Sequence, residues 1–150
     1  MSKEATVPLE TTLYVRDTCL CLHVQRAARA LARHFDEALR PLGMTSGQFS
    51  LMMSLNRPDP PSMGSVAQLL AMDRTTLTAA LKPLQRRGLV ESMVDPKDKR
   101  SRRLKLTDDG RALLASAVPI WKTAHAELDE ILMTNGGDPD MLRRSLGALT

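Results

Sequence analysis

Aromatic residues are scarce in this chain of 150 residues, at 3%, and only two cysteines are present. The core must therefore consist mainly of Leu, Ala, Val and Met, and this composition favours helices. No apolar run approaches the roughly 18 residues that span a bilayer. The first ten residues also lack the basic-then-apolar pattern of a signal peptide. These absences predict one largely helical domain that resides in the cytoplasm.

The chain offers no pattern for catalysis, for a metal or for another cofactor. It contains no phosphate-binding loop, and its histidines, His23, His34 and His125, are scattered. Cys19 and Cys21 lie two positions apart, so on a continuous helix their side chains would point about 200° apart. That geometry makes a disulfide or a shared metal difficult. We therefore expect neither an enzyme nor a cofactor-dependent protein.

Positive charge is concentrated in one stretch of the chain. Residues 73–106 contain ten Lys and Arg against four Asp and Glu, whereas residues 107–150 contain four against seven. A solvated basic face would explain such a stretch, and so would contact with a polyanion. The secondary structure predicted around the stretch favours the polyanion.

Apolar residues at helical spacing predict long helices on both sides of the basic stretch. One helix is predicted over residues 12–39, and the next begins at a capping box formed by Thr45 and Gln48. Beyond the stretch, Thr107 caps a second long helix, and Asp138 precedes a short final helix.

Two short helices joined by a tight turn predict a helix-turn-helix. Ser62 caps the first helix, and Asp73 caps the second, which ends before Gly88. The inward-facing positions predicted for the first helix are Val66, Leu69 and Leu70. We expect Pro83 to distort the second helix, because proline removes a backbone donor.

Alternating residues after Gly88 predict a basic β-hairpin. Its strands cover residues 89–94 and 103–107, and a polar segment joins them. The fold class is therefore mainly α with a small β-hairpin. The apolar stripes of the terminal helices are too broad for one small domain to cover, so we expect a homodimer. Candidate contributors to the dimer contact are Leu13, Leu20, Trp121 and Leu128.

A motif spans the hairpin and the start of the following helix. It reads Asp95-Pro-Lys-Asp-Lys-Arg100, then Leu104-Lys-Leu-Thr-Asp-Asp-Gly110. This motif resembles the MarR (multiple antibiotic resistance regulator) family, whose hairpin reads D-P-x-D-R-R and continues L-x-L-T-x-x-G. Lys99 replaces an Arg of that pattern.

The resemblance implies a single MarR-type domain over residues 1–150. It implies a winged helix DNA-binding lobe at about 45–107 and dimerisation helices at about 12–40 and 108–150. Such a protein is a transcriptional repressor that binds a pseudo-palindromic operator in double-stranded DNA as a homodimer. A small aromatic or phenolic ligand, or thiol oxidation by a peroxide, releases it. The alternative is a DNA-architectural or adaptor dimer without an effector.

The second short helix would then be the recognition helix, with one face toward DNA and Leu77, Leu81 and Leu84 toward the core. Residues predicted to contact base edges are Thr75, Thr78 and Ala79. Residues predicted to hold phosphates are Arg74, Lys82 and Arg86. Ala79 stands where many members of the family carry an Arg, which leaves the operator sequence open.

The hairpin would be the wing, and the resemblance together with its charge predicts further DNA contacts. These are Lys97, Asp98, Lys99, Arg100 and Arg102. We expect Arg100 to enter the minor groove, whose narrow A·T-rich stretches attract arginine. In an extended segment, residues two apart share a face, so we expect the Asp98 carboxylate to pair with the Arg100 guanidinium.

Cys21 resembles the reactive cysteine of the thiol-based organic-hydroperoxide repressors within the same family. Gln25 and Phe35 stand where those sensors carry tyrosines that hydrogen-bond the thiol. Free cysteines are also common as small packing residues. A redox-sensor role and a packing role for Cys21 therefore both remain open.

Overall fold

The computed structural model describes residues 5–150, which form seven α-helices, a 3₁₀ turn and one antiparallel hairpin. The elements are α1 (Leu9–Thr18), α2 (Leu20–Leu39), the 3₁₀ turn (Arg40–Leu42), α3 (Ser46–Leu55), α4 (Met63–Leu69), α5 (Arg74–Arg86), β1 (Val90–Val94), β2 (Arg102–Leu106), α6 (Asp108–Thr134) and α7 (Pro139–Gly147). The predicted fold class is confirmed. Within these residues, no helix combines the length and the apolar character needed to cross a membrane.

Side chains cap the helices at the residues predicted for them. Thr45 Oγ1 accepts from the Gln48 backbone N–H at 3.2 Å, and the Gln48 side chain accepts from the Thr45 N–H at 3.1 Å. Asp73 Oδ1 accepts from the Thr76 N–H at 2.7 Å. The other predicted caps are Ser62, Thr107 and Asp138. Each satisfies backbone donors that a helix start leaves unpaired.

The single helix predicted over residues 12–39 is wrong, because the chain breaks into α1 and α2 at Cys19. This residue has an extended conformation (φ −67°, ψ 105°), and its Sγ accepts from the Leu22 N–H at 3.4 Å. The thiol therefore takes the place of a capping hydroxyl. Since Cys19 lies outside the helix, the 200° separation expected between the two cysteines does not apply.

The core lies where α2, α3, α4, α5, the hairpin and α6 meet. Its fully buried large side chains are Leu39, Leu51, Met52, Val66, Leu77, Leu84 and Leu104. The expectation that Leu69 points inward is wrong, because its side chain is 59% exposed. In the seven-residue helix α4, Val66 and Ala67 face the core, and Leu69 lies about 110° around the helix from the midpoint between them.

The hairpin pairs Val90 with Leu106 and Val94 with Arg102; β1 ends at Val94 as predicted, and the other three strand ends lie one residue from the predicted ones. Gly110, in the first turn of α6, lies against the backbone of Leu89, the residue before β1. A Cβ at Gly110 would sit 2.1 Å from the Leu89 carbonyl oxygen, so the motif requires glycine there. Helix α5 continues through Pro83 to Arg86, so the proline does not end it.

Candidate nucleic-acid interface

Helix α5 has one buried and one exposed side. Leu77, Leu81 and Leu84 are at most 3% exposed. The exposed side carries all of the α5 residues predicted for DNA contact, which are Arg74, Thr75, Thr78, Ala79, Lys82 and Arg86. Thr78 Oγ1 donates to the Arg74 carbonyl at 2.8 Å, which leaves its oxygen free to accept.

The start of α5 is held by its cap and by an unusual turn. The pKa of Asp73 is held below its ordinary value, chiefly because its carboxylate accepts from the Thr76 backbone N–H. Ala71, in the turn between α4 and α5, has a positive φ of 52°. This left-handed conformation disfavours a side chain and produces the tight turn of the helix-turn-helix.

An ion pair anchors the tip end of the hairpin strands, where β1 leads into the turn. Arg103 Nε lies 3.0 Å from Asp95 Oδ2, and Arg103 Nη1 donates to the Pro60 carbonyl at 2.6 Å. The other Asp95 oxygen accepts from the Lys97 N–H at 2.9 Å. The pKa of Asp95 lies below its ordinary value, chiefly because its carboxylate accepts from the Lys97 N–H. The Arg103 charge lowers the pKa to a smaller extent. Sequence reasoning missed these roles, since Pro60 and Arg103 are far apart in the chain.

Asp98 acts on the backbone of the hairpin tip. Its Oδ1 accepts from the Arg100 backbone N–H at 3.0 Å, and its carbonyl accepts from the Ser101 N–H at 2.9 Å. The segment is a turn centred on Lys99 and Arg100, whereas the expected pairing of side chains assumed an extended segment. The side-chain ion pair is therefore replaced by a turn that the Asp98 carboxylate closes.

A single groove joins the hairpin tip to the two helices of the helix-turn-helix. It is lined by Met63, Arg74, Thr78, Asp98, Arg100, Ser101 and Arg102. The Arg74 guanidinium also lies over α4, 3.5 Å from where a Cβ of Gly64 would sit. The structure thus brings five of the predicted DNA-contact residues to one surface.

The cations predicted to contact DNA form no ion pair with a carboxylate of the described residues. Across residues 5–150, ion pairs with carboxylates involve other side chains. None of the seven cations predicted to contact DNA has such a pair; they are Arg74, Lys82, Arg86, Lys97, Lys99, Arg100 and Arg102. Uncompensated, exposed cations on α5 and the wing favour contact with a polyanion.

Cys21 is exposed near the start of α2. The Gln25 side-chain amide donates to its Sγ at 3.2 Å. Phe35 lies elsewhere, stacked on Trp121 with ring centroids 6.2 Å apart. Of the two residues that replace the sensor tyrosines, Gln25 therefore contacts the thiol.

Two short helices, a tight turn and a basic hairpin packed beside them define a winged helix-turn-helix protein. A family model described as the MarR family matches residues 44–101. A crystal structure of the M. tuberculosis transcriptional regulator MosR in complex with DNA is 38% identical. That comparison covers 87% of this chain and 92% of MosR, with a TM-score of 0.78. The chain belongs to the MarR family of DNA-binding transcriptional regulators.

Two further relatives bear on function. The transcriptional repressor CouR, solved with a 23-mer DNA duplex, is 28% identical with a TM-score of 0.77 over 97% of this chain and 99% of CouR. The organic hydroperoxide resistance transcriptional regulator of Bacillus subtilis is 28% identical over 67% of this chain and 69% of its own length. The predicted family and the regulatory class are thus confirmed.

Proposed function

We propose that this protein is a homodimeric repressor in the cytoplasm that binds a pseudo-palindromic operator. Helix α5 enters the major groove through Thr75, Thr78 and Ala79, while Arg74, Lys82 and Arg86 hold phosphates. The wing contacts the adjoining minor groove through the tip that carries Lys97, Lys99, Arg100 and Arg102. The observation that carries the proposal is the exposed groove between α5 and the wing, with its uncompensated arginines. Similarity to MosR and CouR, both solved with DNA, supports it.

The dimer would form through residues 12–40 and 108–150, on either side of a DNA-binding lobe at about 45–107. In the isolated chain, α1, α2, α6 and α7 expose large apolar side chains. Examples are Leu9 at 70%, Leu20 at 60%, Ile131 at 56% and Met141 at 58%. Exposed patches of this kind mark interfaces. Sedimentation at micromolar concentration should give a dimer, and a monomer would contradict this part of the proposal.

The proposed signal is a small aromatic or phenolic ligand or the oxidation of Cys21. A footprint on the DNA upstream of the gene tests both, with phenolic acids and with peroxide. Protection at two symmetric half-sites is expected, and one of the two treatments should abolish it. If peroxide acts through Cys21, a Cys21→Ser variant keeps its footprint in peroxide, whereas Cys19→Ser, the matched control, loses it.

The competing candidate is an architectural or adaptor dimer that responds to no effector. It would protect DNA without a symmetric pattern, and neither treatment would change its binding. That result would overturn both the repressor and the effector parts of the proposal.

A further inference from the structure

Arg87 is the residue that directly follows α5, and its side chain lies off the DNA-facing side of that helix. Successive residues of a helix are about 100° apart, so Arg87 lies well to one side of the exposed Arg86. Its Nη1 donates to the Gly43 carbonyl at 2.7 Å, across 44 positions of sequence. The guanidinium thus binds the protein's own backbone.

Gly43 is suited to receive this side chain. Its φ of 63° is left-handed, a conformation that favours glycine. Arg87 Nη2 lies 3.6 Å from where a Cβ would stand, so the guanidinium rests against the Gly43 backbone. The turn thus presents both an accessible carbonyl and a flat surface to the arginine.

The same corner fixes the end of α2 to the start of α3. Asp36 of α2 accepts from the Ser46 N–H at 2.7 Å, at the first residue of α3. The flanking residues Leu39 and Met44 are at most 3% exposed. The Arg87–Gly43 bond therefore ties the end of the recognition helix to a rigid corner at the end of α2.

We infer that Arg87 is a positioning residue that sets which half-site spacing the dimer accepts. This role rests on the proposed function, in which α2 contributes to the dimer interface and α5 reads a half-site. The angle between α2 and α5 then determines the separation of the two recognition helices. One added base pair moves a half-site by about 3.4 Å and rotates it by about a tenth of a turn. Without the Arg87–Gly43 bond, the angle between α2 and α5 would be less fixed, and the dimer would also bind operators with these neighbouring spacings.

The test uses an operator selected from random-sequence DNA by the wild-type protein, and two versions with one base pair added or removed between the half-sites. Affinities are measured by fluorescence anisotropy over a range of salt concentrations. The variants are Arg87→Met, which keeps an apolar stem, Arg87→Lys, which keeps one donor group, and the neighbouring control Arg86→Met. Circular dichroism melting verifies that each variant is folded.

The wild type and Arg86→Met should prefer the selected spacing, and Arg86→Met should bind every duplex more weakly with a salt slope reduced by about one. In Arg87→Met, the ratio of the affinities for the selected and the altered spacings should fall about tenfold. This is the size expected for the loss of one charged hydrogen bond. Its salt slope should stay that of the wild type. Arg87→Lys should recover part of the preference, and it serves as the test if Arg87→Met does not fold.

A wild-type spacing preference in the Arg87 variants would overturn the inference. A salt slope reduced by about one in Arg87→Met, with equal losses on all three duplexes, would show a phosphate contact and would overturn it as well. If the wild type itself bound selected and random DNA equally, the proposed function would fail, and this role with it.

Discussion

Asp95 and Arg103 form an ion pair, 3.0 Å between Oδ2 and Nε, at the tip end of the wing strands, and Arg103 also donates to the Pro60 carbonyl in the segment preceding α4. Asp95 is only 7% exposed and Arg103 is half-buried, so removing Asp95 leaves the Arg103 charge without its carboxylate partner. We expect Asp95→Ala to lower the melting temperature. The matched control is Glu91→Ala, which breaks the more exposed cross-strand pair with Lys105. Thermal denaturation should show the larger loss for Asp95→Ala, and equal losses would contradict the anchoring role.

The same carboxylate makes stability depend on acid pH. The pKa of Asp95 is lowered in the folded protein, first by the Lys97 N–H and then by Arg103. The ionised carboxylate adds to the free energy of unfolding at pH values above the ordinary pKa of an aspartate, about 4. This contribution is lost as the pH falls through the lower pKa of the folded protein. In urea denaturation between pH 7 and pH 3, the wild type should therefore lose stability more steeply than Asp95→Asn. Parallel curves would contradict this linkage.

Substitutions at the wing tip test whether Asp98 positions Arg100 or acts on DNA binding only through its negative charge. Asp98→Ala should weaken operator binding, because the Arg100 N–H loses its acceptor. Asp98→Asn should bind at least as well as the wild type, since an amide oxygen can close the same turn. Arg100→Ala should weaken binding by roughly 1–3 kcal/mol with little change in stability. Tighter binding by Asp98→Ala, measured by anisotropy, would exclude the positioning role.

Lys82 tests the phosphate contacts of α5. Replacing it with Ala should weaken binding to all DNA sequences alike and reduce the salt slope by about one. Lys122, an exposed lysine on α6, is the matched control, and its replacement should leave the slope unchanged. A changed sequence preference in Lys82→Ala would instead indicate that this lysine contacts bases.

The helix starts were predictable because capping depends on residues three positions apart. Thr45, Asp73 and Thr107 each bond a backbone N–H within one turn. The break at Cys19 was missed because the apolar spacing continues from Leu13 through Leu20, and a thiol is an uncommon cap. Periodicity describes the faces of a helix, and it does not detect one residue that leaves the helix.

The site was only partly predictable, because some of its contacts join distant segments. The exposed face of α5 follows from helical spacing. The Arg103–Pro60 and Arg87–Gly43 bonds connect residues more than 40 positions apart, and no local pattern marks them. At the wing tip, the spacing of Asp98 and Arg100 predicted a contact between their side chains. Because the segment forms a turn, the Asp98 carboxylate instead accepts from the Arg100 backbone N–H.

Selective binding by the dimer is the central claim, and the ratio of two affinities tests it most directly. The wild type is titrated with its selected pseudo-palindromic operator and with a shuffled duplex of equal length and composition, at one physiological salt concentration. We predict that the operator binds about a thousandfold more tightly or better. A ratio close to one would contradict the account, because the exposed cations would then bind DNA by charge alone.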